Sequence, residues 1–111
     1  MLYDASLGTA GTSAVVRLAG EVTGRDVEAL RALLDRAVQQ NPRRLVVDLH
    51  DVLSLAPAAV RCLAFVQQHL PPTSDVVIEG APAEVERRLR LAGLDRSMVI
   101  VPRPADALTP A

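Results

Sequence analysis

Residues 45–63, LVVDLHDVLSLAPAAVRCL, place a short apolar run before a proline-opened helical pattern, and few architectures accept that order. Leu45 to Leu49 sets four apolar residues around Asp48, the pattern of a strand covered on both faces of a parallel sheet. Pro57 suits the first turn of a helix, where its missing N–H has no partner to lose. Val60, Leu63, Ala64 and Val66 then form the buried stripe of that helix, which ends before Pro71-Pro72. A parallel strand must be reached by a crossover, so this segment predicts an α/β domain.

The flanking sequence repeats the alternation. Leu2 to Leu7 reads as a weak first strand, the loop GTAGTS as a hairpin connection, and Ala14 to Ala19 as a stronger second strand. After the turn Gly20 to Gly24, residues Val27, Leu30, Leu34, Ala37 and Val38 fall at helical spacing over Arg25 to Gln40, with Leu33 widening the stripe. Asn41-Pro42 stops this helix, because the residue before proline avoids the α region. Val76 to Ile78 is a short buried strand. Pro82 opens a helix carrying Val85, Leu89 and Ala92, with Gly93 as its left-handed stop. Met98 to Val101 is the last strand, and the tail 102–111, with Pro102, Pro104 and Pro110, admits at most a short terminal helix. The expected order is β-β-α-β-α-β-α-β: one domain over residues 1–111 with its core at about 14–101. The sheet should have about five strands, mostly parallel with an antiparallel opening hairpin, and about four helices.

Composition narrows the function classes. At 111 residues the chain is long enough for one core without staples. The single Cys62 excludes an internal disulfide and, in its apolar helical setting, reads as an inert thiol. No apolar run approaches a membrane span, and MLYDASLG lacks a basic stretch followed by an apolar core; both predict a cytoplasmic protein with no direct membrane insertion. A net charge of −1 and only Tyr3 and Phe65 as aromatics give nucleic acid neither an attracting field nor a stacking platform. All twelve basic residues are arginine, so no lysine is available for a Schiff base or a phosphate clamp.

No motif for catalysis or a cofactor emerges. The segment from Gly20 to Gly24 lacks the third glycine of a dinucleotide fingerprint and the lysine of a P-loop; Thr23 is more simply an N-cap, with Asp26 three residues on. His50 and His69 have no partner at metal-ligand spacing and read as surface or capping residues. Ser54, His50 and Asp48 or Asp51 form a triad only on paper, without a nucleophile elbow. Asp48 inside a buried run reads as a hydrogen-bond acceptor that holds local structure. Arg87, Arg88 and Arg90 on the third helix read as a solvated face diluted by Glu84 and Glu86, although three arginines also suit an acidic partner.

Three pieces together resemble the STAS domain family, which includes bacterial anti-sigma factor antagonists. VVRLAGEVTGRDVEALRALL is similar to the family's apolar strand, glycine turn and first helix, with Gly20 and Leu30 in the matching places. RRLVVDLHDVLSLAPAAVRCL is similar to its strand, Asp-Leu pair and second helix. VERRLRLAGLDRSMVIV is similar to its third helix, Gly93-Leu94 turn and last strand. The resemblance implies a non-enzymatic docking module without a cofactor, monomeric or weakly dimeric. Its partner would be a protein, a kinase-type anti-sigma factor, met through Thr23, Gly24, Arg25, Ala56, Pro57, Ala58, Ala59 and Arg61.

The departures fall where that family signals. Thr23 stands where an aspartate is common after the first glycine turn. The second helix commonly begins with Asp-Ser-Ser-Gly, its serine switched by phosphorylation, and here it begins Ala56-Pro57-Ala58-Ala59. Pro57 therefore marks a degenerate phosphosite, and Ser54 is expected to be a poor substitute, packed inward or capping the turn. Within the same class stands the STAS subunit of an ABC-type lipid transporter. From a different class comes a small-ligand sensor or residual enzyme using a crevice beside Asp48, Thr23 and Glu79.

Overall fold

The computed structural model describes residues 2–102, with side chains described for 5–101. Five strands form one sheet in the order β1-β2-β3-β4-β5: β1 Leu2–Ala10, β2 Ser13–Val22, β3 Arg44–Leu55, β4 Asp75–Ala81 and β5 Val99–Pro102. The β1–β2 hairpin is antiparallel and every later pairing is parallel. The helices are α1 Val27–Gln39, α2 Pro57–His69 and α3 Ala83–Leu91, with one-turn 3-10 segments at Gly24–Asp26 and Leu94–Arg96. The described residues thus hold three α-helices rather than the expected four; the tail 103–111, where the fourth was expected, lies outside them.

Each parallel crossover is right-handed by the general rule, and each steps the sheet in the same direction. Such a sequence of steps puts α1, α2 and α3 on one face. One continuous core records this: Ala14, Val16 and Leu18 of β2, Leu45, Val47 and Leu49 of β3 and Ile78 of β4 meet Leu30, Leu34, Leu63, Val85 and Leu89 of the helices. The reading of β3 as covered on both faces is therefore corrected. Its residues alternate from Leu45 to Leu49, with Val46 and Asp48 only half-buried on the face without helices. Val77 is buried as expected, but on that second face, where cross-strand register lines up Val15, Val46, Val77 and Val99 in one row. A Cβ placed on Gly8, at the β1 end of the row, would meet nothing.

The elements begin and end largely where their local chemistry dictates, and the strands run further than apolar runs suggest. The hairpin turn is Gly11-Thr12 alone, so the strands take up most of GTAGTS. β2 continues through Gly20 to Val22, and β3 continues past His50 to Leu55, because pairing along a bulged ladder carries both through polar positions. Pro57 occupies the first turn of α2, whose buried residues are Ala59, Val60, Leu63 and Val66, with Ala64 packed partly against the core. Gly93, at φ 81°, follows α3 in the left-handed conformation that glycine accepts without strain. Ala92 caps that helix and is exposed, so α3 buries Val85 and Leu89 without it.

Leu63 is 1% exposed and lies between α2 and the sheet. Leu63→Ala should lower unfolding stability by about 2–5 kcal/mol, measured by urea denaturation. A loss below about 1 kcal/mol would mean that the site collapses around the missing side chain.

Candidate docking surface at the start of the second helix

The carboxyl ends of β2 and β3 deliver the chain to two adjoining turns, and the sequence sets their shape. Thr23 follows β2 with extended backbone, and its N–H and Oγ1 both donate to the Asp26 carboxylate, at 2.8 and 2.9 Å. This capping box turns the chain into α1 and fixes Gly24 and Arg25 on the surface. Ala56 sits beside it, its N–H donating to the Val22 carbonyl at 2.8 Å, and Pro57 then opens α2. The first glycine turn and the start of the second helix are therefore one surface, joined by a backbone hydrogen bond.

Three grooves meet there. The first, of about 300 Å³, runs between the strand ends and α3 and is lined by Thr23, Gly24, Leu53, Ser54, Ala56 and Arg88 among others. The second, of about 360 Å³, lies between α2 and α3, with Pro57, Val60 and Arg61 on one wall and Arg88, Leu91 and Ala92 on the other. The third runs between α1 and α2 past Arg31, Ala58, Arg61, Cys62 and Phe65. Pro57 and Arg61 are exposed on the ridge between the second and third grooves, and Arg25 is exposed beside them.

The expected site residues divide accordingly. Thr23, Gly24, Arg25, Ala56, Pro57 and Arg61 reach this surface. Ala58 is half-buried in the α1–α2 groove rather than fully exposed, and Ala59 is 0% exposed, so its side chain cannot meet a partner. The cause is helical phase: a stripe centred on Val60 and Leu63 carries Ala59 inward. Ser54 neither packs inward nor caps the turn; it is exposed in the first groove. Leu53, at 65% exposure, and Leu91, at 77%, belong to the surface and were not anticipated, and Arg88, expected on a solvated face of the third helix, borders it as well. Leu91 falls outside the apolar stripe of its helix, the one signal that marked it.

Asp48 and Glu79 are held away from Thr23. Both lie in register on the face without helices, and neither lines the grooves at the strand ends. The Asp48 carboxylate accepts from Arg17 Nε at 3.0 Å, from the His50 N–H at 3.0 Å and from the His50 ring at Nδ1. It accepts hydrogen bonds that hold local structure, from a cross-strand arginine and from its own strand's backbone and side chain. Gly80, at φ 74°, lies so close to His50 that any Cβ there would collide with the ring. His69 donates from Nδ1 to the Phe65 carbonyl at 2.9 Å. Among the described residues no cluster of three His, Cys, Asp or Glu residues is placed to hold a metal. Burial pushes the Cys62 thiol above its usual range, which suits the inert role.

Two carboxylates carry acid sensitivity. Burial alone would raise the Asp48 pKa, but the His50 backbone and ring and Arg17 outweigh it and hold it below 3.8. Asp26 is lowered by the hydrogen bonds from the Thr23 backbone and hydroxyl. In the unfolded chain both regain ordinary values, so their contribution is complete above 3.8 and is lost as pH falls through the lower folded values. Asp48→Asn should flatten the decline in stability on the acid side of 3.8, measured as denaturant midpoints from neutral pH downward. An unchanged acid limb would remove Asp48 from this role.

The same architecture occurs in known proteins. An anti-sigma factor antagonist from Mycobacterium paratuberculosis matches with a TM-score of 0.82 at 26% identity, over 95% of this chain and 90% of that one. The anti-sigma factor antagonist SpoIIAA in its unphosphorylated form gives 0.68 at 14% identity, over 95% and 94% of the two chains. Its phosphorylated form, described as a Bacillus cell fate determinant, gives 0.66 at 14%, over 95% and 96%. At 14% the likeness is one of fold. No curated protein shows significant sequence similarity. A family model described as "Mlab, STAS domain" matches residues 5–102, and with nearly the whole described chain inside that match, this protein belongs to the STAS domain family.

Proposed function

We propose that this STAS domain is a non-enzymatic regulatory module of the cytoplasm, similar to anti-sigma factor antagonists, that docks a kinase-type anti-sigma factor. The observation that carries the reading is the surface around Pro57. It joins the first glycine turn to the start of α2 and exposes Leu53 and Leu91, two large apolar side chains at 65% and 77% exposure. Small residues at the helix start let another protein approach the backbone, and exposed leucines give it apolar area to bury. A second reading within the class, the STAS subunit of an ABC-type lipid transporter, is supported by the description of the matched family.

Regulation by phosphate at the helix start is absent from this reading. Ala56 and Pro57 have no hydroxyl, so no phosphoryl group can add its charge of nearly two units there. The docking would be constitutive or controlled through the partner. Incubation with kinase-type anti-sigma factors of the same cell should leave the intact mass unchanged. A stoichiometric phosphate mapped to the exposed Ser54 would make that residue the acceptor and overturn this part of the proposal.

Affinity capture with the intact domain, followed by titration of the purified partner, tests the docking itself. A kinase-fold anti-sigma factor supports the first reading and an ABC ATPase the second. Leu53→Asp should weaken binding by about 30-fold, the effect of an interface hot spot of about 2 kcal/mol. Its stability should stay within about 0.5 kcal/mol of the parent, since the side chain is exposed. Unchanged affinity in a folded Leu53→Asp variant would place the interface elsewhere.

A further inference from the structure

The α2–α3 groove has an apolar floor and arginines on both walls. Val60 and Ala92 line it, Pro57 and Leu91 stand at its sides, and Arg61 of α2 faces Arg88 of α3 across it. Both arginines are exposed, and neither forms an ion pair with another described residue. Three other arginines are paired, Arg17 with Asp48, Arg44 with Asp75, and Arg90, on the same helix as Arg88, with Glu86 and Asp95; what sets Arg61 and Arg88 apart from the remaining exposed arginines is that they share one apolar groove. Arg88 also lines the groove at the strand ends, so the positive charge borders a continuous surface that includes Leu53. Glu84 is the carboxylate in that neighbouring groove, and it is absent from the α2–α3 groove.

We propose that the α2–α3 groove takes an acidic amphipathic segment of the partner protein, an apolar side chain between α2 and α3 flanked by Asp or Glu residues that meet Arg61 and Arg88. The inference rests on the reading that the domain works by docking a protein, and it adds the chemistry of what is docked. Groove recognition of an amphipathic helix uses apolar anchors one helical turn apart, and Leu91 and Val60 offer the facing surface. The planar guanidinium forks of Arg61 and Arg88 suit paired N–H donation to carboxylates. Opposite charge across the interface speeds encounter and rejects basic competitors, a discrimination that a chain of net charge −1 would not provide as a whole.

The test uses the full chain and two synthetic helical peptides with the same leucine spacing, one with glutamates flanking the leucines and one with lysines. Titrations followed by NMR should show the acidic peptide binding at least tenfold more tightly, with shifts centred on Val60, Arg61, Arg88 and Leu91. Its affinity should fall steeply with added salt. The Arg61→Glu/Arg88→Glu variant should lose the acidic peptide at least tenfold and gain the lysine peptide, a reversal that misfolding cannot produce. Equal binding of the two peptides, no binding of either, or shifts confined to the Phe65 groove or to the valine row overturns the proposal. If the purified partner binds Arg61→Glu/Arg88→Glu as tightly as the parent while Leu53→Asp abolishes binding, this inference fails and the docking reading stands.

Discussion

Three right-handed crossovers that all step in one direction decide the shape of this domain. Because β3, β4 and β5 each add to the same side of the preceding strand, α1, α2 and α3 have only one face to cover. Everything else is arranged around that asymmetry. The core lies between the helices and the inward residues of β2, β3 and β4. The strand ends open beside the helix starts, where ligands and partners of parallel sheets commonly bind. The outward face keeps a line of valines bordered by the Arg17–Asp48 and Arg44–Asp75 ion pairs, both partly exposed and so modest in energy.

Much of this was legible in the residues because each signal was local. Pro57 and Pro82 bound helices through steric rules that hold without tertiary context, while α1 is followed by Asn41 at φ 49° before Pro42, a left-handed stop like that of Gly93 after α3. Strand length was less legible. β3 runs twelve residues, more than twice the stretch Leu45 to Leu49 that announced it, because ladder pairing with β2 carries the strand past His50 through Asp51 and Ser54. The one-sided helix layer was missed for a related reason. Val46 and Val77 are apolar on the open face, so LVVDL and DVVIE look the same whether one face is covered or two.

The docking surface was legible in outline, and its finer errors follow from helix phase. Proline fixed where α2 begins, yet not which way Ala58 and Ala59 turn; one residue of rotation separates a half-buried groove position from a core position. The contribution of α3 lay out of reach of local patterns, since Arg88 and Leu91 meet Pro57 and Arg61 only after β4 has brought the third helix alongside. Sequence motifs at the start of the second helix describe half of a surface whose other half comes from a helix about thirty residues later.

The strand order carries a consequence for how the chain is assembled. Every described strand pairs with its neighbour in sequence, and none waits for a strand that lies more than a single helix further on. As the ribosome delivers the chain, the β1–β2 hairpin can close first, and each emerging helix–strand unit then finds a completed edge to join. A sheet built this way grows by accretion from the N-terminus, with short loop closures at every step. The growing edge is the one the next unit will cover, which limits the time it is offered to another chain, whereas the outer edge of β1 has no pairing strand among the described residues.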